Sequence, residues 1–79
     1  MEERTDVKLN RRMRSQARVI AKGERIRDVQ RLVEEYGGRA SQWVKMSSVQ
    51  FEIAGERFEY HWYEHHGVGR FETRRVRVN

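Results

Sequence analysis

Four residues of this chain are suited to moving protons or holding an anion: Glu59, His61, Tyr63 and Arg75, with Arg77 beside them. They fall in two runs, Phe58-Glu59-Tyr60-His61-Trp62-Tyr63-Glu64-His65-His66 and Arg70 to Val78, divided by Gly67-Val68-Gly69. An imidazole takes or gives a proton near neutral pH. A guanidinium grips phosphate through paired hydrogen bonds. Together these groups meet the needs of metal-independent RNA cleavage. That reaction requires a base at the 2′-hydroxyl, an acid at the leaving oxygen and fixed cations at the phosphate. Glu59 would orient His61 or act as a base, and Tyr63 or Trp43 would stack on a nucleobase. The ordinary reading of the same pattern is cross-strand salt bridging on a solvated sheet.

The run His61-Trp62-Tyr63-Glu64-His65 also matches H-x-x-E-H, a zinc-protease signature. That motif needs a helix, which stacks the two histidines one turn apart. Alternation of aromatic and polar residues predicts a strand here. On a strand, His61 and His65 share a face but stand roughly 13 Å apart. No metal and no cofactor is expected.

The elements that must position these groups follow from periodicity. Residues 1–6 read as a frayed start. Leu9, Met13, Ala17 and Ile20 make one stripe, which predicts a helix over 7–22. Its other face carries Arg11, Arg14 and Arg18. Ile26, Val29, Leu32, Val33 and Tyr36 predict a second helix over 24–36, ended by Gly37-Gly38. Residues 40–78 read as antiparallel sheet, with a first strand over 40–46. Gly55-Glu56 predicts a two-residue turn that sets Ile53 opposite Phe58, Phe51 opposite Tyr60 and Val49 opposite Trp62. A loop at Gly67-Val68-Gly69 would set Arg75 opposite His61, Arg77 opposite Glu59 and Thr73 opposite Tyr63. The expected fold is therefore α+β, a single domain over 1–79: two N-terminal helices packed on a four-stranded antiparallel meander. Trp62 would lie under the second helix, and the opposite face would carry the polar groups.

Composition narrows the class. The chain has 79 residues, a net charge of +5 and more Arg than Lys. Such a basic domain suits nucleic acid, an acidic membrane surface or an acidic protein. It has no cysteine, which removes disulfide scaffolds and thiolate zinc sites. No apolar run approaches a membrane span, and no membrane partner is expected.

From Ile26 to Val78 the order is amphipathic helix, Gly-Gly, Trp43-Val44-Lys45, a hairpin, His61-Trp62-Tyr63-Glu64, Gly67-Val68-Gly69 and a basic last strand. This resembles the C-terminal toxin modules of bacterial polymorphic toxins, carried by large secreted proteins of the Rhs or contact-dependent-inhibition kind. The layout is similar to the barnase, EndoU, colicin and RelE group of ribonuclease folds. The resemblance implies an endoribonuclease acting on transfer or ribosomal RNA in a bacterial cytoplasm, delivered by secretion or made there as a free toxin. It also implies an acidic immunity protein or antitoxin that masks the site. Carried onto this chain, it gives His61, Tyr63, Lys45, Arg70 and Arg75 as site residues. Two other functions use the same groups without chemistry: a noncatalytic nucleic-acid-binding domain and a protein-interaction module.

Overall fold

The structure, a computed structural model, describes residues 8–79. The expected frayed start, and the first residue of the expected first helix, lie outside them. The order is α1 (Arg11–Ser15), β1 (Arg18–Lys22), a 3-10 turn (Gly23–Arg25), α2 (Val29–Tyr36), a second 3-10 turn (Ala40–Gln42), β2 (Val44–Ser47), β3 (Phe51–Ile53), β4 (Glu56–His65) and β5 (Gly69–Val78). The fold is α+β, but the expected pair of long helices on four strands is wrong. Among the described residues the sheet has five antiparallel strands, and α2 is the one substantial helix.

The first helix is cut short for a local reason. Asn10 caps α1 by accepting the Met13 N–H at 2.9 Å, and Met13 is buried. Arg18-Val19-Ile20 then leaves the helix. Adjacent β-branched side chains favour an extended chain, and β2 supplies the partner edge. Arg18 pairs with Ser47 and Val19 with Met46. A bulge at Ile20 follows, and Ala21 pairs with Lys45. The stripe of Leu9, Met13, Ala17 and Ile20 thus spans a helix, a turn and a strand. The second helix is also shorter than expected. Ile26 is buried but extended (φ −77°, ψ 121°), so its place in the apolar stripe does not make it helical.

Strands β2 and β3 both pair with one edge of β4, β5 pairs with the other edge, and β1 lies outside β2. Between β2 and β3 the ladder breaks at residues 48–50. Ser48 repairs it: its N–H donates to the Tyr60 carbonyl at 2.9 Å, and its hydroxyl accepts the Tyr60 N–H at 2.9 Å. The β3–β4 turn is Ala54-Gly55, one residue earlier than expected, with φ of 51° and 84°. Phe51 therefore faces Phe58, and Ile53 faces Glu56. Both central residues being left-handed is the signature of a type I′ hairpin.

The β4–β5 hairpin holds the decisive irregularity. Tyr63 pairs with Phe71, but His61 pairs with Arg74, so Glu72 and Thr73 together face Trp62. Glu72 sits at φ 60°. That conformation disfavours residues with a Cβ, and the surroundings hold it there. Arg31 of α2 donates to both Glu72 carboxylate oxygens at 2.8 Å, and the Tyr36 hydroxyl donates at 2.8 Å. Those bonds keep the Glu72 carboxyl at a pKa of about 2, Arg31 being the larger cause.

Helix α2 covers one half of one sheet face. Ile26, Val29 and Leu32 pack with Trp43 and Tyr63, and Ala21, Val33, Tyr36 and Phe71 close around them. Tyr36 stacks on Phe71 at 4.0 Å. This helix side is the face of Glu59, His61, Tyr63 and His65, opposite to the expected one. Trp62 is buried, at 1% exposure, but pairs with Met46 on the outer face and does not join the α2 cluster.

Candidate functional site

Beyond the start of α2, the helix side of the sheet turns polar. Glu59 and His61 are two residues apart on β4, so the strand period alone sets them side by side. His61 Nε2 lies 3.0 Å from Glu59 Oε1. Ser47, opposite His61 on β2, places its hydroxyl 3.0 Å from the same carboxylate oxygen. Gln50 Nε2 donates to Oε2 at 3.4 Å, and Arg18 Nη2 approaches it at 3.5 Å from β1. Glu59 is 8% exposed. Burial alone would raise its pKa. The hydrogen bond from His61, then those from Ser47 and Gln50 and the charge of Arg18, hold it down at about 2. A carboxylate that stays ionised beside an imidazole fixes the orientation and tautomer of the ring.

Arg74 supplies the guanidinium on this face, as the direct cross-strand partner of His61. Next to it, Asp28, Arg31, Tyr63, Glu72, Thr73 and Arg74 line a cavity of about 320 Å³ between the start of α2 and the bulge. Lys45 is the partner of Tyr63 on β2, with its Nζ 5.9 Å from the ring centre. Glu59, His61, Tyr63 and Lys45 therefore share one face.

Other expected site residues lie elsewhere. Trp43 is fully buried, and its indole N–H donates to the Gly37 carbonyl at 3.0 Å, so it offers no stacking surface. Tyr63 belongs mainly to the core, at 9% exposure. Arg75 and Arg77 face away from His61. They pair with Tyr60 and Phe58, and the Arg75 guanidinium sits 5.0 Å over the Phe58 ring. Arg70 pairs with Glu64 on that outer face. The cause is register. The expected loop placed Arg75 opposite His61, whereas the turn begins one residue earlier and the Glu72-Thr73 bulge adds one residue to β5. Ser47 and Arg74 are the site residues that sequence reasoning missed; Arg18, expected on the basic face of a helix that could grip RNA, reaches the site from strand β1 instead. Ser47 becomes visible only once β2 pairs directly with β4, and Arg18 only once β1 is recognised as a strand, for which the Val19-Ile20 pair was the signal.

His65 is buried at 6% exposure. Its Nδ1 accepts the Gly67 N–H at 3.0 Å, which assigns the proton to Nε2, and Nε2 has no partner among the described residues. His65 packs edge-on to Trp43 at 5.4 Å, which makes it part of the core. Among the described residues, no three His, Cys, Asp or Glu side chains converge as a metal-binding group. No helix among them is long and apolar enough to cross a membrane.

No protein-family model matches this chain, and neither does any curated protein or solved structure.

Proposed function

We propose that the protein is a metal-independent endoribonuclease that works from the Glu59–His61 pair and acts as a toxin on bacterial RNA. The observation that carries this reading is the 3.0 Å contact between His61 Nε2 and a carboxylate held ionised by its neighbours, with Arg74 paired across the strand. Glu59 engages Nε2, leaving Nδ1 of His61 to take the 2′-hydroxyl proton. The 2′-oxygen then attacks phosphorus, and the bond to the 5′-oxygen breaks. Tyr63 lies one strand period away, about 7 Å along β4. Either it or Lys45 would return a proton to the 5′-oxygen. Arg74 and Arg18 would stabilise charge on the phosphorane. The products are a 2′,3′-cyclic phosphate and a 5′-hydroxyl.

Incubating the protein with total RNA in EDTA tests this. The parent should yield discrete fragments with those ends, and His61→Ala should cleave about 100-fold more slowly or worse. Expression of the parent, but not of His61→Ala, should arrest a bacterial host. Co-expression of an acidic protein encoded beside it should relieve the arrest. If His61→Ala folds and cleaves as fast as the parent, the pair is not the catalytic centre. A parent that binds RNA and never cleaves it would be a noncatalytic nucleic-acid-binding domain.

A further inference from the structure

The outer face of the sheet, away from α2, has its own constellation. Phe51, Phe58 and Tyr60 are all half-buried there. The Phe51 and Tyr60 rings stack at 5.0 Å, and the Phe51 and Phe58 rings lie 6.1 Å apart. The guanidinium of Arg75 sits 5.0 Å over Phe58. Arg77 reaches Glu56 at 3.2 Å through two well-exposed side chains. Both arginines are exposed on β5, which forms one edge of the sheet.

We propose that this outer face, with Phe51, Phe58 and Tyr60 beside Arg75 and Arg77, is a second site that binds single-stranded RNA. Bases would stack on the rings and on the Arg75 guanidinium plane, and phosphates would track the arginines of β5. Charge decides the occupant. Each nucleotide brings one flat apolar surface and one negative charge, which match the rings of β3 and β4 and the guanidiniums of β5 beside them. An apolar peptide would cover the rings but offer no anion to the exposed guanidiniums of Arg75 and Arg77. A duplex hides its base faces. Arg74 points to the helix side while Arg75 and Arg77 point outward, so the β5 edge links this face to the Glu59–His61 face. The proposal does not depend on cleavage there.

The test measures binding of a fluorescein-labelled oligouridylate by anisotropy, in EDTA, with His61→Ala as background so that the RNA stays intact. Added Phe51→Thr should weaken binding about tenfold. Added Arg75→Gln should flatten the dependence of log affinity on log salt by about 0.7. Unchanged affinity and slope in variants with parental circular dichroism would overturn the proposal, as would equal affinity for duplex RNA. If Phe51→Thr fails to fold, 4-thiouridine photocrosslinking on the His61→Ala chain decides the matter. Adducts at Phe58 or Tyr60 support the site, and adducts confined to Tyr63 overturn it. A chain that binds in this way yet never cleaves would retain the outer site and lose only the nuclease reading.

Discussion

Replacing Glu59 with Gln removes a carboxylate whose pKa falls from 4.5 to about 2 on folding, chiefly through the His61 hydrogen bond. A depressed carboxylate stabilises the fold fully above its unfolded pKa, and that stabilisation is lost as pH falls toward the folded one. The window therefore lies between about pH 5 and pH 2. At about 1.4 kcal/mol per pH unit, this gap corresponds to about 3 kcal/mol. The group is only 8% exposed, so solvent screens little of it. Urea unfolding across that window should show the parent losing about 3 kcal/mol more than Glu59→Gln. Glu72 titrates over the same range, its pKa also held at about 2. Its exposure makes its share smaller, and it contributes equally to both proteins, so it cancels in the comparison. Parallel pH profiles would refute the reasoning: His61, Ser47, Gln50 and Arg18 would then not favour the ionised Glu59.

Three further substitutions test the fold. Gly38→Ala places a Cβ 2.6 Å from the His65 ring at a residue with φ 80°, and should destabilise by about 2 kcal/mol in a denaturant melt. Ala54→Asn puts a residue that tolerates left-handed backbone at φ 51°, and should raise stability by about 0.5 kcal/mol, measured the same way. Trp62→Ala empties a site with 1% exposure and should cost about 3–5 kcal/mol, read from the urea midpoint and slope.

The adjacency of Glu59 and His61 was legible in the sequence, because strand alternation puts residues i and i+2 together whatever the partner strand does. So was the glycine pair that ends α2: Gly37 and Gly38 both have positive φ. Pairing across strands was not legible. Register depends on turn position and on bulges, and the bulge places a left-handed conformation on Glu72, a residue type that gives no such signal. What holds Glu72 there is Arg31, distant in sequence. The face reversal has a related origin. Tyr63, His65 and Phe71 cluster under α2 with Trp43, while Phe58, Tyr60 and Trp62 are equally aromatic on the other side. With both faces apolar in part, alternation cannot say which one the helix covers. Strand β1 was hidden because the apolar spacing of its residues continues a helical count.

The bulge also marks where β5 carries slack. Before it, Phe71 shares the helix side with Tyr63; after it, Arg74 and Val76 share that side with His61 and Glu59. Two alternation phases are joined at Glu72-Thr73. Losing one of those two residues would let the phases merge, leaving every later pair of the hairpin in place at the expense of the tether to α2. A single deletion farther along, at Val76 for instance, has no slack to absorb it and would send each following side chain to the other face. Length variation in this hairpin is therefore tolerable at one point and disruptive a few residues away, although both changes have the same size.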